Sequence, residues 1–522
     1  MIYDVPTSAR CVLIGEEPLL IHCAEILQSH GHIVTTVIAE SPQIQSWADA
    51  NKVDSLSPND YVAFVVDHQP DLFVSAANLR IVPECILDAA GLAINFHDGP
   101  LPEYAGLNTP SWAILNGKSE HGITWHVMEA SVDTGAILKK KTFPVPARST
   151  AQRLNVKCFD AGVTAFKELI SEITGPGLTS IPQANGPRAY FSKNDGPPRG
   201  GFVSGEDPAT TIDALVRATM FGQGTNRFGT ARLWVNGTVY TIGSADIIDG
   251  AVTGVPGTVV ELRDDGLVLQ ATPGRVLLRG LKSPSGEAVS PSSWSATHEL
   301  APGTILHPPS GANIDAIEAQ MSFWEAHLRS APAPTVLPLL QSEAGTSSKG
   351  TAPSRPRTTD MRRAMQAFEG NATDVSLKTA ALAAWAIVLY RYTGDRDVVF
   401  NVATSAGVAP LRVQLKEGAS VKSFVDSIAS QMDARASHLP HNASAVWNWA
   451  GRSDAPATAT EIRFINGSAA DAPPAEAPVS MDVDVEAGTC SLTVDEPSCT
   501  SDAADRLLAH LTTTLTAIAT AC

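Results

Sequence analysis

The chain has 522 residues, more than one hydrophobic core usually supports, so we expect three or more domains. Hydrophobic residues make up 44% and charged residues 17%; no run of about 18 apolar residues occurs and the first residues lack a signal-peptide pattern, which favours a cytoplasmic protein without a membrane span. The net charge of −17 disfavours a broad nucleic-acid surface such as a tRNA contact.

Short apolar runs alternate with helical patterns over the first hundred residues, which predicts an α/β fold with a Rossmann-like parallel sheet. The predicted elements are strands at 10–15 and 33–38, a helix at 19–29, further elements at 61–66 and 71–75, and a strand at 91–97. Such sheets bind ligands at the carboxyl ends of their strands. The first turn, residues 15–18, lacks the glycine pattern of a dinucleotide site and carries two acids, so we exclude a dinucleotide there.

A second pattern begins after residues 182–201, which are rich in glycine, proline and asparagine and which we interpret as a linker. A short helix is predicted at 213–217 and is followed by strand-like runs with glycine-containing turns, typical of a small, OB-like β-barrel. These runs lie at 231–235, 238–242, 257–262, 267–269 and 275–278.

The last third returns to longer elements and predicts an α+β domain. Its predicted elements are a helix at 376–392 that Gly394 ends, strands at 398–402 and 411–415, and a closing helix at 502–521. The three patterns together predict domains at 1–200, 201–312 and 313–522.

Three polar residues are candidates for catalysis. Asn95 and His97 end the apolar run at 91–97, and Asp133 lies in an Asp-Thr-Gly turn further along. Residues two apart on a strand share a face, so Asn95 and His97 can point into one cleft. An amide and an imidazole can stabilise an oxyanion, and a carboxylate can move a proton, which is what acyl transfer to an amine requires. Taken one at a time, Asn95 reads more simply as a turn residue, His97 as an edge histidine and Asp133 as a helix cap.

No metal site is expected. The seven cysteines are scattered and never spaced Cys-x-x-Cys. His121 and His126 flank a strand but have no third ligand at a suitable spacing, so we assign both of them structural roles.

The segment 94–138 resembles the folate-dependent formyltransferase family. Asn95-Phe96-His97 is similar to its Asn-x-His, residues 101–106 resemble its Leu-Pro-x-Tyr-Arg-Gly, and residues 122–128 leading to 132–135 resemble its Gly-Val-Thr strand and Asp-Thr-Gly turn. Ala105 stands in place of the usual arginine, which puts an acceptor contact from that loop in doubt.

The resemblance implies roles for individual residues. It makes Asn95, His97 and Asp133 the catalytic residues of a Rossmann-like domain. It implies a folate site whose residues, two of them shared with the catalytic set, are Leu79, Arg80, Ile81, Val82, Asn95, Ala130, Val132 and Asp133. Ordinary core packing remains an alternative reading of Leu79, Ile81 and Val82. The implied donor is 10-formyl-tetrahydrofolate, with 5-formimino-tetrahydrofolate as the second choice.

Two later regions carry resemblances of their own. Residues 202–306 resemble the C-terminal domain of methionyl-tRNA formyltransferases, through the 213–217 helix and the strands at 256–259 and 274–278. Residues from about 315 on resemble half of a nonribosomal peptide condensation domain, but no two histidines are adjacent anywhere, so its His-His-x-x-x-Asp-Gly motif is missing. We therefore expect this half to bind a partner or cover the acceptor without forming peptide bonds.

The resemblances imply transfer of a formyl or formimidoyl group to an amine of a specialised metabolite or of an aminoacyl or peptide-like antibiotic intermediate. The acceptor would be a small molecule or a carrier-bound intermediate, and a glycyl amine suits either chemistry. A formyltetrahydrofolate hydrolase, which uses water in place of the amine, is one alternative. A non-catalytic folate- or partner-binding module is another. The sequence leaves the oligomeric state open.

Overall fold

The protein forms two compact units, one of residues 1–281 with 290–308 and one of residues 282–289 with 309–522. Among the residues described, no helix is both long and apolar enough to cross a membrane. The computed structural model describes residues 2–3, 5–173, 178–183, 186–221, 228–236, 238–248, 254–283, 286–294, 300–337, 357–360, 376–404, 407–436, 438, 446–447, 460–465, 477, 479–484, 486–494 and 501–521.

The first unit is built on a seven-stranded sheet of order β4-β3-β2-β5-β6-β8-β9. Its strands are β2 (Arg10–Ile14), β3 (Ile33–Ile38), β4 (Asp54–Leu56), β5 (Leu72–Ser75), β6 (Leu92–His97), β8 (Glu120–Val127) and β9 (Ile137–Pro144). The first five run parallel, which confirms the Rossmann-like pattern. The full sheet is mixed, because β8 pairs antiparallel with β6 and β9 pairs antiparallel with β8.

Helices accompany the strands of this sheet, and the sequence predicted one of them. They are α1 (Leu19–Ser29), α2 (Pro42–Asn51), α3 (Tyr61–His68), α4 (Glu84–Ala89), α5 (Thr109–Leu115) and α6 (Ala151–Ile173). The predicted helix at 19–29 is confirmed at both ends. The element predicted at 61–66 is the helix α3.

The core under β6 and β8 fixes the strands that carry the polar residues of interest. Trp125 on β8 is fully buried against Phe166 of α6, and its indole N–H donates to the carbonyl oxygen of Gly162 at 3.0 Å. A side chain at Gly162 would place its Cβ 2.5 Å from the ring of Phe96, so helix α6 approaches β6 closely only because this residue is glycine. Burial of two such aromatic side chains contributes roughly 1.5–3 kcal/mol each.

The remaining part of the first unit contains a helix and antiparallel strands. Its elements are α7 (Ala209–Ala218), β12 (Arg232–Val235), β13 (Thr238–Thr241), β14 (Ser244–Ile248), β15 (Val259–Leu262), β16 (Gly266–Gln270) and β17 (Arg275–Arg279). The last four form a sheet of order β14-β17-β16-β15, and β12 pairs with β13. The strand predictions are confirmed, β14 was not predicted, and closure into a barrel stays a prediction.

Two short strand pairings complete this unit's description. Strand β1 (Ile2–Tyr3) pairs with β10 (Leu178–Thr179), and β7 (Tyr104–Gly106) pairs with β11 (Ala189–Phe191) in parallel. The second pairing corrects the linker interpretation of residues 182–201, because part of that segment is the strand β11, which pairs with β7.

The second unit is an α+β layer with a six-stranded sheet of order β18-β23-β22-β21-β19-β20. Its strands are β18 (Arg357–Asp360), β19 (Asp397–Thr404), β20 (Gly407–Gln414), β21 (Thr460–Ile465), β22 (Val479–Asp484) and β23 (Thr489–Val494). Its helices are α8 (Gly311–Leu328), α9 (Leu377–Thr393), α10 (Val421–Ala436) and α11 (Ser501–Ala521). The predicted helices and strands of this region are confirmed, and the condensation-domain resemblance stays a prediction.

Candidate functional site

The candidate site lies at the carboxyl end of β6. Asn95 and His97 alternate with Phe96, which points into the core, so the two polar side chains share the other face of the strand. In the antiparallel register, Asn95 lies opposite His126 and His97 lies opposite Thr124 on β8. The pairing of β6 with β8 therefore adds a second strand of polar side chains to the site.

The imidazole of His97 has one nitrogen fixed by the backbone. Its Nε2 lies 2.7 Å from the carbonyl oxygen of Tyr104, which can only accept a hydrogen bond, so Nε2 carries the proton and donates it. The other nitrogen, Nδ1, lies 3.6 Å from the Asp133 carboxylate and 4.0 Å from that of Asp98. Nδ1 is thus the nitrogen that remains for proton transfer.

Asp133 reaches the imidazole from a strained turn. Its φ of 54° lies in the left-handed region, which costs roughly 1–3 kcal/mol for a residue other than glycine. The turn directs its buried carboxylate inward, where Oδ2 accepts the Gly106 N–H at 2.8 Å and Oδ1 lies 3.4 Å from His126 Nε2. The sequence places Asp133 far from His97, and the fold brings them together.

The surroundings of Asp133 decide its ionisation. Burial alone raises the pKa of this carboxyl, but the charge of His97 and the hydrogen bonds from His126 and Gly106 outweigh burial and lower the pKa from 3.8 to about 2. The carboxylate is therefore ionised throughout the neutral range. An ionised carboxylate at this distance can stabilise positive charge that forms on the imidazole.

His126, to which the sequence pattern assigned a structural role, lies between Asn95 and Asp133 in the structure. Its Nδ1 donates to the carbonyl oxygen of Val127 at 2.8 Å, and its Nε2 lies 3.2 Å from Asn95 Nδ2. The same Nε2 faces the carboxylate of Asp133. His126 thus connects the amide and the carboxylate of the predicted catalytic set, and the pairing of β6 with β8 was the signal that sequence reasoning lacked.

A second carboxyl lies beside His97 in a different state. Burial raises the pKa of Asp98, although the charge of His97 and a hydrogen bond from Thr109 Oγ1, 3.1 Å from Oδ1, oppose the rise. The backbone carbonyl of Asp98 accepts from Thr109 at 2.8 Å and from His121 at 2.8 Å. Burial lowers the pKa of His121 to about 4, so His121 is neutral near pH 7; its structural role stays a prediction.

The loop after His97 is held from β8. Thr124 Oγ1 donates to the carbonyl oxygen of Gly99 at 2.9 Å and accepts the Leu101 N–H at 3.0 Å. A Cβ at Gly99 would lie 2.7 Å from both His97 Nε2 and the carbonyl oxygen of Tyr104. Only glycine leaves room for the hydrogen bond that fixes the imidazole.

Most of the residues assigned to the folate site lie in loops, at 79–82 after β5 and at 130 and 132 between β8 and β9. Leu79 is 56% exposed, Ile81 74% and Val132 40%, which is unusual for large apolar side chains that follow strands and turns. Ala130 is also exposed, and Val82 is buried in the core, so only its backbone is open to a ligand.

Arg80 has partners of its own beside these apolar residues. Its guanidinium forms an ion pair with Glu40 at 3.2 Å and donates to Asn59 Oδ1 at 3.3 Å. The roles of Leu79, Arg80, Ile81, Val82, Ala130 and Val132 stay predictions.

The donor set suits proton transfer and oxyanion stabilisation rather than metal binding. Within the described parts of the chain, no group of three or more histidine, cysteine, aspartate or glutamate side chains could hold a metal ion. What the site offers is an amide, two imidazoles and an ionised carboxylate within hydrogen-bonding or ion-pair reach of one another. Groups of these kinds can catalyse acyl transfer to a nucleophile.

Comparison with known proteins assigns two segments to one family. Residues 24–170 match the family model described as formyl transferase, and residues 198–299 match the one described as formyl transferase, C-terminal domain. The first match contains Asn95, His97, His126 and Asp133.

Relatives span the first part of the chain. A methionyl-tRNA formyltransferase of Acetivibrio thermocellus is 26% identical over 57% of this chain and 99% of its own length. A GDP-perosamine N-formyltransferase of Brucella melitensis is 29% identical over 38% of this chain and 73% of its own length.

Solved structures give a weaker likeness. An N-formyltransferase from Helicobacter canadensis, in complex with folinic acid and dTDP-3-aminofucose, is 19% identical over 52% of this chain and 99% of that chain, with a TM-score of 0.43.

Proposed function

We propose that this chain, an enzyme whose residues 24–170 and 198–299 are domains of the formyl transferase family, transfers a one-carbon group from a tetrahydrofolate donor to an amino group of a small or carrier-bound acceptor. The observation that carries the proposal is the approach of Asp133 to within 3.6 Å of His97 Nδ1, beside the amide of Asn95. This arrangement supports charge stabilisation and proton transfer at one reacting centre.

A folate donor fits the chain at the exposed apolar residues. Large side chains at positions 79, 81 and 132 are open to solvent; the first two follow β5, the strand paired with β6, and the third precedes Asp133. A flat pterin ring needs an apolar slot with a few backbone partners, which such segments supply. When bound, the donor supplies an activated one-carbon centre with a nitrogen as its leaving group.

Asn95, His97 and Asp133 have separate roles in the proposed transfer. Attack by an amine forms a nitrogen–carbon bond, and the Asn95 amide stabilises the negative charge that develops on the carbonyl oxygen until the bond from carbon to the donor's nitrogen breaks. His97 Nδ1 is the position at which the amine's proton is held before it passes to the leaving nitrogen, since Nε2 is occupied by Tyr104. Asp133, ionised, stabilises the imidazolium at 3.6 Å.

The acceptor is proposed to differ from tRNA. Ala105, in the place of the family's arginine, is buried within β7, so this position offers no cation to an acceptor. The net charge of −17 also opposes a polyanion. Both facts support an amine on a small metabolite or on a carrier-bound, peptide-like intermediate, with a glycyl amine as the first candidate.

The identity of the transferred group and of the acceptor is tested by product mass. The protein is incubated with 10-formyl-tetrahydrofolate or with 5-formimino-tetrahydrofolate and a panel of amines that includes glycyl compounds, and products are measured by mass spectrometry. We expect an acceptor that gains one formyl group; a gain of one formimidoyl group with the second donor reassigns the carbon unit. Steady release of tetrahydrofolate without any amine would instead identify a hydrolase, and absence of folate binding would favour a non-catalytic module.

A further inference from the structure

Residues 181–183 and 186–191, which together we call the strap, lie against the turn that carries Asp133. At its start, Ile181 and Ile137 exchange two backbone hydrogen bonds, each of 2.8 Å. At its end, strand β11 pairs in parallel with β7, and Leu107 donates to the carbonyl oxygen of Phe191 at 2.8 Å. The strap is thus anchored on both sides of the turn.

Between these anchors, two side chains of the strap hold the backbone of the turn. Gln183 Nε2 donates to the carbonyl oxygens of Asp133 at 2.9 Å and Gly135 at 2.8 Å. Arg188 donates from Nη1 to the Asp133 carbonyl oxygen at 2.9 Å and from Nη2 to that of Val132 at 2.9 Å. Four hydrogen bonds therefore converge on three carbonyl oxygens of one turn, those of residues 132, 133 and 135.

The far end of the strap supports the other side of the carboxylate. Gly106 on β7 donates its N–H to Asp133 Oδ2, and a Cβ at Gly106 would lie 2.0 Å from the carbonyl oxygen of Phe191 on the strap. The strap strand therefore lies directly against the residue that binds the carboxylate. Both the backbone and the side chain of Asp133 depend on this one segment.

We infer that Gln183 and Arg188 are positioning residues, which hold the left-handed turn so that the Asp133 carboxylate meets His97; this inference rests on the proposed function. A turn in an unfavourable conformation persists only where its surroundings impose it. Since both ends of the strap are fixed by backbone pairing, the two side chains bind the turn with little further loss of entropy. Displacement of a catalytic group by about 1 Å costs on the order of 100-fold in rate.

The two residues hold different parts of the turn, and their variants should differ accordingly. Gln183→Leu keeps the size of the side chain and removes both donors to Asp133 and Gly135. We expect its kcat to fall roughly 10- to 100-fold with little change in KM for the folate donor. Arg188→Ala also frees Val132, a predicted folate residue, so it should raise that KM as well. Arg188→Lys retains a cation and a donor and should recover part of the loss.

A second measurement reports the turn itself without catalysis. Hydrogen–deuterium exchange of the peptide that contains Gly106 follows the N–H that Asp133 Oδ2 accepts. The Gln183→Leu variant should exchange this amide faster than wild type. Arg153→Ala is the matched control: Arg153 is exposed on α6, and this substitution should change neither exchange nor kcat. Circular dichroism and thermal melting establish that each variant is folded at the assay temperature.

The outcomes separate the two claims. Faster exchange together with lower kcat per folded molecule supports the positioning role. Unchanged exchange and a kcat within a factor of about two of wild type overturns it, and so does faster exchange with unchanged kcat. If wild-type protein transfers no one-carbon group yet Gln183→Leu still speeds exchange at Gly106, the proposed function fails while the strap's hold on the turn stands.

Discussion

Replacement of Asp133 by asparagine isolates the charge that the fold places beside His97. The substitution keeps the shape of the side chain and the acceptor for the Gly106 N–H, but it removes the negative charge 3.6 Å from His97 Nδ1. Two unit charges at that distance interact by about 4–5 kcal/mol at an effective dielectric constant of about 20. Relaxation of the site and of solvent reduces this figure, so we expect kcat to fall about 10²–10³-fold.

The assay is single-turnover transfer with the folate donor in excess, so that binding and chemistry are separated. Asp98→Asn is an informative comparison, because its carboxyl lies 4.0 Å from the same nitrogen but has a pKa that burial raises. We expect it to lose less activity than Asp133→Asn. Asp160→Asn, exposed on α6, serves as the inert control. Equal and small losses for Asp133→Asn and Asp160→Asn would refute the electrostatic role.

Three further changes test neighbouring parts of the site. Asn95→Ala removes one oxyanion donor and should lower kcat about 10²–10³-fold, measured in the same assay; a loss below tenfold would argue against that role. Gly99→Ala forces a Cβ to within 2.7 Å of His97 Nε2 and of the Tyr104 carbonyl oxygen, so melting should show a loss of roughly 1–3 kcal/mol together with lower activity, and an unchanged melt would contradict the crowding. The pKa of His121 is lowered to about 4 in the folded protein. The stability that its neutral form supports is therefore complete above the unfolded pKa near 6.5 and is lost as pH falls toward 4, by up to about 3 kcal/mol. Urea melts of wild type and His121→Gln at pH 7 and pH 4.5 should diverge accordingly, and parallel curves would rule this out.

The sequence was sufficient to predict the strand that presents the site. Residues 92–97 form β6, and alternation along a strand is enough to place Asn95 and His97 on one face. Asp133 was assigned by resemblance to a family motif, and the fold brings its carboxylate to His97. A turn at positive φ leaves no periodic trace in sequence, so its geometry could not be predicted from pattern alone.

Other parts of the site depend on contacts distant in the chain. His126 joins Asn95 because β8 pairs antiparallel with β6, and a register between strands of different segments does not follow from either strand's own pattern. The strap was misread as a linker for a related reason. Its strand β11 has only three residues, too few for alternation to show, and its function lies in two side chains that reach carbonyl oxygens of another turn.

The second unit illustrates how far local patterning extends. Its helix α9 begins after Ser376, whose side chain accepts the Thr379 N–H at 3.2 Å, and ends at Gly394 with φ of 82°. Capping and termination signals of this kind are local, so the boundaries were predictable to within a residue. The order of the six strands is set by non-local pairing and was not predicted.

The central claim is that His97 performs the transfer, and its most direct test compares wild type with His97→Ala. Single-turnover transfer and equilibrium binding of the folate donor are measured on both proteins, with His22→Ala, an exposed histidine on α1, as control. The account predicts a loss of at least roughly 10³-fold in the rate of transfer, with folate affinity and thermal melting unchanged. Near-normal transfer by the folded His97→Ala protein would contradict it.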